Sequence, residues 1–393
     1  MQANVKTRGQ RPRLQLAQAL ALLLFFIAPL AHASLWESSG WALTGKTDAA
    51  LGYDTNLTAS PDGPADFYGL VAPFLTFARH NSNTDFRVNG GATHVEYLNN
   101  RQPAHTDLSL NAIYGYPTGD NIIPIYRVTG SWQRTDPANV YLGKRVQTDE
   151  SSVVAEGYLP LTGKLGLRGT TLFGRETYDD PSLNQNTHGD VSVGLAFQRN
   201  ERLEMSLNLG GSLSHSTPND PTRTANDVHS HGYFMTLRAR GDLTAKLAGS
   251  VFGGFGLTDF SGGYTNRLTH PVGGADLIWT IDPNRALTLT GYSGMRYSPD
   301  GEAAKVGNVY LIYSQYIVAQ WQFIARAGLT HSVYSREVQR RSDSSMDLGA
   351  EFAYEPSRRF RVALSMLHTN QTSDHAFNAY QRSLISLGAT YTF

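Results

Sequence analysis

Leu384-Ile385-Ser386-Leu387-Gly388-Ala389-Thr390-Tyr391-Thr392-Phe393 is the stretch whose reading decides the fold. Ile385, Leu387, Ala389, Tyr391 and Phe393 are apolar or aromatic, and Ser386, Gly388, Thr390 and Thr392 between them are small and mostly polar. That is period two, the pattern of a strand with one apolar face and one wet face. The same alternation recurs throughout. Leu203, Met205, Leu207, Leu209, Gly211 and Leu213 oppose Glu204, Ser206, Asn208, Gly210, Ser212 and Ser214. Val191, Val193, Leu195 and Phe197 oppose Asp190, Ser192, Gly194 and Gln198; Phe360, Val362, Leu364 and Met366 oppose Arg361 and Ser365. Residues 66–79 and 305–318 alternate less cleanly.

Composition explains why hydropathy alone is uninformative. The chain has no cysteine, 17% charged and 11% aromatic residues, 20 Tyr and 38 Gly, yet its mean hydropathy is −0.32. Strands that alternate polar and apolar residues average out in this way. Without cysteine there is neither a disulfide framework nor a thiolate metal site. Lys6, Arg8, Arg11 and Arg13 precede the apolar run Leu14–Leu30 and the small-x-small triplet Ala31-His32-Ala33. Residues 1–33 therefore read as a secretory signal peptide, and 34–393 as one mature domain. The mature chain has 29 basic against 33 acidic residues. It has no basic footprint, which argues against nucleic acid as a partner.

After residue 33 no apolar run approaches the roughly 18 residues of a spanning helix. From Trp41 onward the chain divides into about eighteen segments of membrane-strand length. Short polar turns alternate with longer connections. The turns include Leu161-Thr162-Gly163-Lys164, Leu243-Thr244-Ala245-Lys246, Asp282-Pro283-Asn284-Arg285 and Glu355-Pro356-Ser357-Arg358. The longer stretches run over 55–65, 177–189, 216–230, 334–345 and 370–379. Only residues 34–40 precede the first strand, which leaves no room for a plug. Aromatics near the short turns (Phe77, Phe86, Tyr158, Phe197, Trp279, Trp321, Phe323, Tyr354 and Phe360) predict an interfacial girdle. The expected fold is all-β, a transmembrane antiparallel outer-membrane barrel of about 18 strands.

The apolar faces exceed what one soluble core could bury, and no helices cover them, so they predict a lipid-facing surface. An ion at mid-bilayer costs about 2–4 kcal/mol, so the charged faces are expected to line the lumen. Alternation then places Arg168, Arg238, Arg240, Arg296, Arg326, Arg359 and Arg361 inward, with Asp190, Glu204, Asp242, Asp276, Asp347 and Glu351. About eighteen strands enclose an aqueous channel rather than a packed interior.

Candidate chemistry is sparse. His229-Ser230-His231 with Asp227 could chelate a metal, but such spacing is common by chance. His94, His331 and His368 read as interfacial residues near strand ends. No nucleophile elbow is present, nothing in the sequence selects a Ser-His or Asp-His pair, and Asn56-Leu57-Thr58 matches a glycosylation sequon by chance. No catalytic residue, cofactor site or metal site is assigned.

Gly52-Tyr53-Asp54-Thr55-Asn56-Leu57, followed by Asp66-Phe67-Tyr68 and Ala72-Pro73-Phe74, resembles the opening of the putative β-barrel porin 2 family of Gram-negative outer-membrane proteins. The terminal Tyr391 and Phe393 resemble the signal read by the barrel-assembly machinery. The resemblance implies a porin-like channel in the outer membrane, passing polar solute such as secreted polysaccharide, with outer-membrane lipid, the assembly machinery and a periplasmic polysaccharide-export protein as partners. The alternatives are a barrel enzyme acting on lipid or polysaccharide at the outer rim, and a closed structural or adhesion barrel.

Overall fold

A computed structural model describes residues 35–80, 84–99, 101–116, 125–200, 202–220, 222, 227–261, 267–299, 302–335 and 340–393. The signal-peptide reading of residues 1–33 lies outside them. The strands are β1 (Trp36–Ser38), β2 (Trp41–Asp54), β3 (Asp66–His80), β4 (Asp85–Tyr97), β5 (His105–Tyr116), β6 (Tyr126–Thr135), β7 (Ala138–Asn139), β8 (Lys144–Arg145), β9 (Thr148–Pro160), β10 (Leu165–Tyr178) and β11 (Asn184–Asn200). They continue with β12 (Leu203–Pro218), β13 (Val228–Asp242), β14 (Leu247–Phe260), β15 (Arg267–Asp282), β16 (Arg285–Tyr297), β17 (Ala303–Val318), β18 (Trp321–Ser335), β19 (Arg340–Ser357), β20 (Phe360–Ser373) and β21 (Tyr380–Thr392).

Eighteen of these form a closed antiparallel barrel: β2 to β6, then β9 to β21, with β21 returning to pair with β2. Closure is made by the stretch quoted first. Lys46 pairs with Thr392, Leu51 with Leu387 and Asp54 with Leu384. Gly45 and Phe393 exchange backbone hydrogen bonds of 2.9 and 2.8 Å. A Cβ on residue 45 would lie 2.4 Å from the Phe393 ring, so Gly45 is the seat of the terminal aromatic.

Residues 35–40 of the lead-in hold a small strand of their own. Trp36–Ser38 pairs with Trp41–Leu43. The connecting Ser39 (φ 51°) and Gly40 (φ 80°) both take the left-handed conformation of a tight two-residue hairpin turn.

The wall has the orientation expected for lipid. Leu209, Leu237 and Phe255 are 60%, 66% and 68% exposed, whereas Arg168 and Glu204 on the opposite face are 2% and 1% exposed. In water this would be an inverted protein; in a bilayer the outer leucines meet hydrocarbon and the charges stay inside. At the short-turn rim the outward aromatics gather in stacks: Trp36, Trp41, Phe77 and Phe86; Trp321, Phe352 and Tyr354; Tyr391 and Phe393. Tyr158 corrects the girdle expectation. It shares the inward phase of Glu156, its ring lies 2.4 Å from where a Gly166 Cβ would stand, and the Arg168 guanidinium sits 5.2 Å over it.

The long connections are shorter than the sequence suggests. β11 begins at Asn184, β12 runs to Pro218, β18 and β19 reach Ser335 and Arg340, and β20 ends at Ser373. Strands here are 10 to 18 residues long. Since about 9–11 tilted residues cross the hydrocarbon, the remainder is polar strand standing above it.

Candidate channel lumen

Lumen charges collect in clusters on the barrel wall. At the short-turn end, Arg168 of β10 donates from Nε (2.7 Å) and Nη2 (2.6 Å) to the two carboxylate oxygens of Glu204 on β12. The strand between them offers Gly194 opposite Arg168 and Ala196 opposite Ser206, small residues over which the guanidinium can reach. Arg240 of β13 donates to Glu156 of β9 at 2.8 and 3.2 Å, four strands away, and Arg168 lies 3.9 Å from the same carboxylate. Arg238 stands over the Phe252 ring at 4.9 Å. With Arg127 of β6 directly opposite Glu156, four arginines and two glutamates thus form one cluster on this wall.

A second set lies across β18 to β20. Arg361 donates to Glu351 (2.6 Å), Glu355 (3.1 Å) and Gln322 (3.2 Å), while Arg326 is 3.7 Å from Glu351. Asp347 accepts from Thr369 at 2.6 Å, and Asp276 from Thr290 at 3.4 Å. Asp242 is at the rim, 3.6 Å from Arg202. Arg359 is not on a strand: it lies in the two-residue turn 358–359 that β19 and β20 leave between Ser357 and Phe360. Strict alternation carried past that turn assigns it an inward face the chain has already left.

Above the first cluster, towards the long-loop rim, the wall encloses a cavity of about 710 Å³. Asp190 and Arg296 line it, with Ser131, Ser192, Asn208 and Thr236 and the aromatic faces of Phe234, Phe252 and Tyr292. Arg296 stacks over Tyr292 at 5.1 Å.

Among the described residues, the larger buried apolar side chains gather at the long-loop mouth. Leu57, Val146, Leu183, Val228, Ala303 and Tyr334 are buried there. Residues 136–147, which carry the β7–β8 hairpin, leave the barrel between its fifth and sixth strands. The Tyr141 hydroxyl nevertheless shares a 2.9 Å hydrogen bond with that of Tyr334 on β18, nine strands from β9. Arg341 of β19 sits 3.7 Å over the Tyr334 ring and 4.9 Å over the Tyr141 ring, and reaches Asp343 (3.3 Å) and Glu302 (3.7 Å). The segment therefore crosses the mouth and is held on the opposite wall. At its near side Lys144 pairs with Asp180 at 2.5 Å. The Lys144 ammonium and the Ser182 hydroxyl hold the Asp180 carboxyl down at about 2. Loop 55–65 packs beside it: Asn56 donates to Ser60 O and Gln381 O, and Gly143 lies against Ser60. Asp54 is anchored by Arg382 at 2.6 Å, and Asp66 accepts from the Asn99 side chain at 2.6 Å.

Several of these residues were not among the expected lumen set. Glu156 and Arg382 were legible, because each shares the polar phase of its strand. Tyr141 carries no periodic signal. His94, His331 and His368 face outward, each with Nδ1 2.9 Å from a hydroxyl on the next strand: Thr106, Ser344 and Ser383.

No curated protein matches the chain. Solved structures with a similar arrangement include OccAB3 of Acinetobacter baumannii (10% identity, 89% of this chain and 99% of that one, TM-score 0.40) and OccK3 of Pseudomonas aeruginosa (12%, 89% and 95%, 0.41). The siderophore receptor PirA of Pseudomonas aeruginosa is another (10%, 89% and 80%, 0.42). The model of the family described as "Putative beta-barrel porin 2" matches residues 215–393, downstream of the Gly52–Phe74 stretch that carried the resemblance. The resemblance is thus borne out on different residues: an outer-membrane, porin-like barrel whose last nine strands, with the approach to them, match the putative beta-barrel porin 2 family.

Proposed function

We propose that the protein is a channel for small polar solutes whose outer mouth is narrowed by residues 136–147. The observation that carries this reading is the Tyr141–Tyr334 contact across the mouth, above a polar-lined cavity. Solute entering from the loop side passes beside the tethered segment into the chamber. It leaves past the Arg168–Glu204 and Arg361–Glu351 clusters, which set charge preference. A carbohydrate is the finer reading. It is supported by aromatic faces (Phe234, Phe252, Tyr292) set among hydroxyl, amide and carboxylate groups, a lining that suits the apolar face and hydroxyl rim of a sugar ring. Passage of a secreted polysaccharide would require the 136–147 segment to swing aside. The proposed partners are outer-membrane lipid on the apolar band, the assembly machinery at Tyr391 and Phe393 after cleavage of the signal, and a periplasmic polysaccharide-export protein at the short-turn rim.

The test is conductance of the purified, refolded mature protein in a planar bilayer, with the Tyr141→Phe/Tyr334→Phe variant beside it. The expected result is small or infrequent openings in the native protein and larger or more frequent ones in the variant. Arg361→Glu should shift selectivity towards cations more than Arg359→Glu, which changes a rim turn. Silence from both native protein and released variant, each shown to be folded, would reject the channel reading.

A further inference from the structure

We propose that His215, Asp227 and His229 form a binding site for a divalent transition-metal ion, of which Zn²⁺ is the type, on the outer face of the barrel. His215 on β12 and His229 on β13 are directly opposed across the strand pair, and both point outward. Their rings stack with centroids 3.8 Å apart and planes 18° from parallel. Asp227, at the entry to β13, turns its carboxylate to both: Oδ1 is 2.6 Å from His215 Nε2 and Oδ2 is 3.7 Å from His229 Nε2. The ligand atoms of the three residues all lie within 4.8 Å of one another.

Zinc–nitrogen and zinc–oxygen bonds of about 2.0–2.2 Å make the donor–donor edge of a tetrahedron roughly 3.3 Å. The observed separations bracket that edge. Closing on an ion would lengthen the 2.6 Å contact and shorten the 3.7 Å one, by shifts that side-chain rotation supplies. Two imidazoles and a carboxylate suit zinc, copper and nickel better than magnesium or calcium. Thr217 Oγ1 stands 3.0 Å from His215 Nε2 and 3.5 Å from Nδ1, so metal binding through Nε2, as the Nδ1–H tautomer, would move this hydroxyl off the ligand nitrogen. All three side chains are 41–59% exposed, so the remaining coordination positions face outward and are open.

His229-Ser230-His231 suggests a different pair in one dimension. Both histidines do face outward, but His231 is engaged one pair lower, 3.6 Å from Asp259, which Arg267 holds at 2.7 Å. Sheet pairing replaces His231 with His215. The next outward-facing pair below the site is Leu213 with His231, and Leu213 is 68% exposed, so the site stands at the long-loop edge of the apolar band.

The experiment is titration of the mature barrel in detergent micelles with Zn²⁺ alone, by calorimetry. The variants are His215→Gln, His229→Gln and Asp227→Asn, with His231→Gln and His331→Gln as controls. Native-like fold is checked by β-sheet circular dichroism and heat-resistant gel migration. One ion per chain is expected, with each site substitution weakening binding about tenfold or more, the scale on which even supporting groups act, and the controls unchanged. A native protein that binds no more zinc than His215→Gln/His229→Gln would overturn the proposal. So would loss of binding in His231→Gln with none in His215→Gln.

Discussion

The Arg168–Glu204 pair offers a test in which the two partners should not cost the same. Both side chains are almost fully buried and joined by two hydrogen bonds. Around them stand Arg238, Arg240 and Glu156, with Arg127 of β6 directly opposite Glu156, making four positive and two negative groups. Glu204→Ala leaves four arginines with one glutamate, and Arg168 among them is almost fully buried. Removing one partner of a buried pair costs about 3–5 kcal/mol, because the other charge stays uncompensated. Arg168→Met instead leaves three arginines and two glutamates, closer to balance. Arg240 is already opposite Glu204 across the β12–β13 ladder and can turn to it, so the cost should fall to about 1–3 kcal/mol, the desolvation scale of a partly re-paired group. The Arg168→Met/Glu204→Leu double variant should lie well below the sum of the single changes. The assay is reversible urea unfolding of the barrel in lipid vesicles, followed by tryptophan emission. If Glu204→Ala costs no more than Arg168→Met, or the double variant is simply additive, the cluster is not a closed electrostatic unit and the reasoning fails.

Other expectations follow from the same geometry. Leu209→Arg puts a cation in the apolar band and should cost about 2–4 kcal/mol in the same assay, whereas Asn208→Ser beside it faces the lumen and should cost under about 1.5 kcal/mol, the loss of one neutral hydrogen bond; equal costs would contradict the assigned faces. Phe393→Ala and Gly45→Leu, which displaces the Phe393 ring, should both lower the fraction assembled in the outer membrane, read by heat-modifiable migration, and normal assembly of Phe393→Ala would count against the terminal signal. Asp180 is held below its ordinary value, so its pairing with Lys144 is fully present above about pH 3.8 and is lost as pH falls towards about 2. Conductance should therefore rise in that acid window in native protein, with the rise absent from Asp180→Asn; a transition near neutral pH would refute the assignment.

Much of the architecture was legible because a β-barrel in lipid obeys a local rule. Period two assigns each residue a face, and the cost of a charge in hydrocarbon says which face is inside. Leu203–Leu213 against Glu204–Ser214 is enough to orient β12, and the alternation of Leu384–Phe393 is enough to make it a closing strand. The rule fails where its premise fails. Arg359 sits in a turn, so its phase is meaningless. Tyr158 is aromatic near a short turn, yet faces inward over Gly166, because strand phase and not residue type sets the face.

Amino-acid order by itself determined strand number, the lipid-facing side and the face of each strand charge, since all three depend on neighbours one or two residues apart. Only the tertiary structure decided which charges meet: Arg168 with Glu204 two strands away, and Glu156 with Arg240 four strands away. It also decided that His215, not His231, stands with His229, and that Tyr141 crosses to Tyr334. These contacts follow from register, closure and loop path. Each joins residues far apart in the chain, and no local periodicity encodes the distance between them.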